Sequence, residues 1–213
     1  MKKVLFSFGL TVCSILFAQK SFVGSIEFMF YQRDTTKNIF TAKDNFVRLD
    51  QYSKKTDGTI EGGFLFDLTK KEIKFINPKR KVWGIHNSTV PPAVKGECVV
   101  TKTKNAKVIQ GVKCTEYIVK NTTEDTEISY WIGSGNYDFF IPMMQLWNRK
   151  DKQSIYFSKI TGLAKGSMPM LSLEKQISSG KTISKLETIK ISVGNVTDDK
   201  LSVPTDYKKF EEQ

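Results

Sequence analysis

The run Val112-Lys113-Cys114-Thr115-Glu116-Tyr117-Ile118-Val119, followed by Glu127-Ile128-Ser129-Tyr130-Trp131-Ile132, decides the fold class of this chain. Both segments are short, rich in β-branched and aromatic residues, and bounded by turn-forming residues, which is how strands read. Segments of the same kind recur in both directions. Upstream, Ile26, Phe28 and Phe30 alternate with Ser25, Glu27 and Met29. Phe46 to Leu49, Gly63 to Phe66, Ile73 to Ile76, Val82 to Ile85 and Cys98 to Thr101 follow. Downstream lie Ser154 to Phe157, Met168 to Leu173 and Ile183 to Val193. Evenly spaced short strands predict a mainly β chain, an antiparallel meander forming a sandwich or a barrel. Gly111 is expected to mark a bulge before Val112. Pro204 to Gln213 reads as a closing strand edge and a frayed tail.

One segment breaks this rhythm. Phe139-Phe140-Ile141-Pro142-Met143-Met144-Gln145-Leu146-Trp147-Asn148 is too long and too continuously apolar for a half-exposed strand. Pro142 suits the first turn of a helix. Phe140, Met143, Met144 and Trp147 then share one helical face. The expectation is a short helix or lid. Its face either plugs the core or forms an adaptable wall for a greasy ligand, since methionine conforms to irregular apolar shapes.

The first eighteen residues have the three-part layout of a secretory signal peptide. Lys2 and Lys3 give a basic start, Val4 to Phe17 carry no charge, and Ala18 supplies a small residue at the expected cut. The apolar run falls short of the roughly 20 residues that span a bilayer. Cys13 offers a rival lipoprotein signal, but Val12 stands where a small residue is needed. The expectation is a signal peptide over 1–18, a single domain over 19–213, and a periplasmic or secreted location.

Losing Lys2 and Lys3 takes the formal charge from +11 to +9. A basic protein outside the cytoplasm meets anionic surfaces such as membrane head groups. The lysines are scattered, however, which also fits a solvated face. Nucleic acid is not expected as a partner, because no recognisable binding motif is present. Residues 19–213 suffice to bury a core without metals or many disulfides.

Cys98 and Cys114 remain after Cys13 is removed. They lie symmetrically about Ala106, within what reads as a hairpin turn at Lys104 to Lys107. On that reading they face each other across adjacent strands and form a disulfide. The alternative is two buried thiols on separate strand positions.

No reaction chemistry stands out. His86 is the sole histidine, has no nucleophile motif near it, and reads as an ordinary surface imidazole. One histidine and two separated cysteines do not make a zinc site. No glycine-rich phosphate loop is present. The expectation is no catalytic residue, no metal and no cofactor.

Lys107-Val108-Ile109-Gln110-Gly111-Val112-Lys113-Cys114-Thr115-Glu116-Tyr117 with the Glu127 to Trp131 strand resembles an "I-x-G-[YV]-K-C-x-x-Y … E-x-x-x-W" pattern. That pattern belongs to an uncharacterised bacterial exported family of the LolA-like lipoprotein-carrier superfamily. Gly24 to Glu27, Asn45 to Asp50, Met168 to Met170 and Leu201 to Pro204 match in the same order. The Ala18-Gln19 junction also resembles exported proteins of the Bacteroidetes group. The resemblance implies a half-open LolA-like barrel, closed by a short helix over an apolar cavity for acyl chains. Such cavities are lined mostly by aromatic and aliphatic groups. The expected walls are Phe28, Phe30, Phe64, Phe66, Trp83, Trp131, Phe140, Met143, Met144 and Trp147. The expected function is a non-enzymatic binding or carrier protein for a lipid or acyl chain. A cell-envelope protein-interaction module, without a small-molecule ligand, is the alternative. Oligomeric state is not legible from these residues.

Overall fold

The computed structural model describes residues 21–53 and 58–210, so the expected signal peptide and its cut lie outside the described residues. In chain order the elements are β1 (Gly24–Tyr31), β2 (Thr35–Lys43), β3 (Phe46–Ser53), β4 (Ile60–Asp67), β5 (Glu72–Asn77), β6 (Val82–Ile85), β7 (Val99–Ile109), β8 (Val112–Asn121), β9 (Thr126–Ser134), α1 (Phe140–Trp147), α2 (Lys152–Phe157), β10 (Ser167–Gln176), β11 (Thr182–Val193) and β12 (Lys208–Lys209). A single-turn 3₁₀ helix spans Asp198–Leu201.

All the strands join one 12-stranded sheet in the order β12-β6-β5-β4-β3-β2-β1-β11-β10-β9-β8-β7. Every pairing is antiparallel except the short parallel contact of β12 with β6. The sheet stays open, with β7 and β12 at its edges, and so forms an incomplete barrel. Its topology has two meanders. β1 to β6 step toward one edge. The chain then crosses through residues 86–98 to the opposite edge, and β7 to β11 step back until β11 pairs with β1.

Side-chain alternation sets which face is buried. Ile26 and Phe28 of β1, Phe40 and Ala42 of β2, Val47 and Leu49 of β3, and Ile128, Tyr130 and Ile132 of β9 are all buried in one core. α1 and α2, inserted between β9 and β10, pack on that core through Phe140, Met143, Trp147, Tyr156 and Phe157. Pro169 lies at a register shift between β10 and β9, where a residue without an amide donor is tolerated.

Several expectations change. Ser154 to Phe157 is helical, part of α2. The Asp151 side chain caps that helix by accepting from the Ser154 amide at 2.9 Å, and Tyr156 and Phe157 turn inward. β2 was not legible as a strand. Gly111 is not a bulge. Gln110 (φ 48°) and Gly111 (φ 77°) form the two-residue turn between Ile109 and Val112, and positive φ at both positions is the hairpin-type turn that matches strand twist. The bulge sits instead between Lys102 and Ala106 of β7.

That turn also removes the disulfide. The hairpin folds about residues 110–111, not Ala106, so Cys114 pairs with Lys107. Cys98 lies by Asn121, whose Nδ2 is 3.7 Å from its Sγ. Asn121 and Cys114 are seven residues apart on β8, or about 24 Å at strand rise, against the less than 7 Å that a disulfide needs. Both cysteines are free.

Candidate functional site: a cavity beneath the helices

α1 starts without a side-chain cap and ends at Asn148, which adopts the left-handed conformation (φ 56°) and donates its amide to Met144 O. Its lower face meets the sheet. Trp147 packs at 5.2 Å from Phe64 and 5.3 Å from Phe66, ring centroid to centroid. Phe140 meets Phe40 at 6.4 Å and Phe157 at 5.6 Å. The fit is incomplete. Between α1, α2 and the concave sheet lies a cavity of about 110 Å³, lined by Phe28, Phe30, Phe40, Leu49, Tyr130, Phe140, Met144, Trp147, Phe157 and Leu186 together with several polar groups.

Most polar groups of the cavity wall are satisfied by the protein. Tyr130 donates its hydroxyl to Gln153 O at 2.7 Å. Gln153 Nε2 donates to Ser184 Oγ, and the Ser172 hydroxyl donates to Gln153 Oε1. Asn38 Nδ2 donates to Thr36 Oγ1 at 3.2 Å. Burial pushes the Tyr130 hydroxyl well above its ordinary pKa, so it remains a donor.

Outside the helices a second space of about 590 Å³ forms a groove between the 86–98 crossover and the outer sides of α1 and α2. Val90 to Val94 supply one wall, and Ile141, Ile155, Ile160 and Leu163 supply much of the other. The crossover is tied at both ends. Ser88 Oγ donates to Leu146 O at 2.8 Å. The Lys95 amide donates to Glu124 Oε1 at 2.8 Å, and Asn121 Nδ2 donates to Lys95 O at 2.9 Å. Glu124 also accepts the Tyr156 hydroxyl at 2.7 Å, which links the crossover to α2. The Lys95 amide and then the Tyr156 hydroxyl hold its carboxyl below the usual range.

Cavity and groove meet. Met144, Arg149, Ser154 and Phe157 belong to the walls of both. At this junction Arg149 Nε donates to Asp151 Oδ2, and the guanidinium carbon lies 4.4 Å from the Trp147 ring centroid. Burial alone would raise the Asp151 carboxyl, but Arg149 and the Ser154 amide and hydroxyl outweigh it and lower its pKa.

The expected wall residues divide three ways. Phe28, Phe30, Phe140, Met144 and Trp147 line the cavity. Phe64, Phe66 and Met143 pack behind it, Met143 with no exposure at all. Trp83 and Trp131 are elsewhere. Trp131 is on the β9 face opposite Tyr130, with Lys107 Nζ 3.9 Å from its ring centroid. Trp83 faces the outer side with Ile76, under Lys74 at 5.3 Å. Strand parity removes both from the cavity. Phe40, Leu49, Tyr130, Phe157, Arg149 and Asp151 were not singled out from sequence. Leu49 and Tyr130 lay within recognised strands, and their alternation could have found them. His86 is half-buried and edge-on to Phe64 at 5.2 Å, not a free surface imidazole. No cluster of metal-ligating side chains occurs among the described residues.

No protein-family model and no curated protein matches the sequence. Among solved structures, an uncharacterised conserved protein from Thermus thermophilus aligns with a TM-score of 0.52 at 9% identity, over 87% of this chain and 88% of that one. This likeness shows the fold. Weaker likenesses are PNGF-II (TM-score 0.47, 11% identity, 90% of this chain and 32% of that one) and a LolA superfamily protein from Nitrosomonas europaea (TM-score 0.35, 10% identity, 87% and 91%).

Proposed function

We propose that the protein is an exported, non-enzymatic binder or carrier of an apolar ligand, a lipid or acyl chain held between the concave sheet and the helices. The observation that carries this reading is the meeting of an apolar-walled cavity with an outer groove across the side chains of Met144 and Phe157. The cavity, at about 110 Å³, is below the roughly 300 Å³ at which ligand pockets begin. Room for a whole chain therefore requires Met144 and Phe157 to shift so that the two spaces join. A flexible thioether at that point favours such movement. The positive charge of the chain suits approach to an anionic membrane surface.

The test is native mass spectrometry of protein exported and purified without detergent, followed by organic extraction of any bound mass. The expected result is a discrete adduct that extracts as a fatty acid or phospholipid. A chain that stays free of adduct after incubation with envelope lipids rejects the carrier reading and leaves the protein-interaction module in its place.

A further inference from the structure

We propose that Arg149 anchors the anionic head of a single-chain amphiphile, a carboxylate or phosphate at the end of one acyl chain, whose tail enters past Met144 and Phe157. This inference rests on the apolar-ligand reading above and specifies its ligand class. Arg149 stands where cavity and groove meet. Its position is fixed from two sides, by the Nε contact to Asp151 and by the Trp147 ring beneath it. A guanidinium carries five N–H donors. Here only Nε has a protein acceptor among the described residues, which leaves both terminal nitrogens available. The side chain is 32% exposed, so an incoming head group can reach it. The fork of two terminal nitrogens matches the paired oxygens of a carboxylate or phosphate.

The surroundings agree. Asn38, Tyr130 and Gln153 in the cavity wall already have protein partners. Among the described residues, the charged side chains on the groove wall are Arg149 and Lys159, both cationic, and no carboxylate joins them. Asp151 lies on the cavity side, where its oxygens are engaged by Arg149, the Ser154 amide and the Ser154 hydroxyl. It orients the guanidinium. A cavity of about 110 Å³ has room for part of one chain and not for two abreast.

The experiment is calorimetric titration of the full mature chain with three 16-carbon ligands below their micelle concentrations: palmitate, palmitoyl lysophosphatidic acid and hexadecanol. A charge-assisted hydrogen bond contributes about 1.5–3 kcal/mol, so an anionic ligand should bind about ten- to a hundredfold more tightly than the alcohol. Arg149→Gln should bring the acids to the affinity of the alcohol, and Arg149→Lys should retain part of the difference. Melting curves establish that the variants fold. If either fails, the preference of the unmodified chain should still weaken as salt rises. The palmitate and lysophosphatidic acid arms separate the two head groups. Equal binding of acids and alcohol, or a preference untouched by Arg149→Gln, overturns the anchor while leaving the apolar cavity standing. Binding of none of the three overturns both.

Discussion

At the residue scale, two neighbouring methionines separate packing from function. Met143 has no exposure and sits within the core, whereas Met144 is half-buried and shared by cavity and groove. Removing a buried methionine side chain costs about 2–5 kcal/mol, because transfer and cavity terms add. Met143→Ala should therefore lose stability in that range in urea unfolding. Met144→Ala should lose markedly less, because its side chain already borders open space, and it should change ligand affinity instead. Equal losses for the two would place Met144 in the core. The cysteines give a second prediction. Cys114 is fully buried, and burial pushes its thiol above the ordinary pKa, which disfavours the reactive thiolate. Unreduced mature protein should yield two thiol equivalents when denatured, and Cys114 should react slowly while folded. An equivalence of zero would restore the disulfide and demand a shifted β7–β8 register. Trp83 and Trp131 show where residue type misleads. Both suit a ligand wall in composition, but a strand sends consecutive side chains to opposite faces, and which face is inward depends on pairing partners far away in sequence.

At the element scale, the α1 helix was legible because Pro142 and the spacing of Phe140, Met143, Met144 and Trp147 depend only on local chain geometry. α2 was not. Ile155, Tyr156 and Phe157 have high strand propensity, and tertiary docking of Tyr156 and Phe157 outweighs it once Asp151 caps the helix. β2 was missed because its inward positions include Asn38, which breaks the apolar alternation. The ties of Glu124 and Asp151 make α2 and the crossover sensitive to acid. Both have folded-state carboxyl pKa values depressed below the ordinary 4.5 and 3.8. A depressed value contributes stability that is present above the unfolded pKa and lost as pH falls through the folded one. The crossover and α2 should stay docked at neutral pH and loosen below about pH 4. Hydrogen exchange should show faster exchange at the Lys95 amide and the α2 amides before the strand core responds. Simultaneous loss everywhere would mean that these carboxylates hold nothing locally. Asp151→Ala should cost about 1 kcal/mol as a lost cap, with further loss from the freed Arg149.

At the scale of the whole molecule, the sequence pattern led to a meander but left sandwich and barrel equally open. The choice turns on β11 returning to β1, a pairing of residues more than 150 positions apart that no local pattern encodes. The same long return explains the cavity. Because the chain runs from β6 to the opposite edge through residues 86–98, the open side of the sheet is spanned by a segment that forms no strand of the sheet. α1 and α2 fill most of the remaining space, and their imperfect fit leaves the cavity. A ligand filling that space binds only the folded state, so it must stabilise the whole sheet. At a free concentration of a hundred times Kd the gain is about 2.7 kcal/mol. For a domain of this length each kcal/mol is worth about 2–4 °C. Palmitate at that concentration should raise Tm by about 5–11 °C. The shift should grow with the logarithm of ligand concentration above Kd. It should shrink in Met144→Asp, which sets a charge where the tail must pass, provided that this variant still melts cooperatively. A ligand that binds the outer surface through charge alone would give a shift that disappears at high salt. A ligand in the cavity loses the part that comes from Arg149 but keeps the part that comes from its buried tail, because apolar burial is not screened.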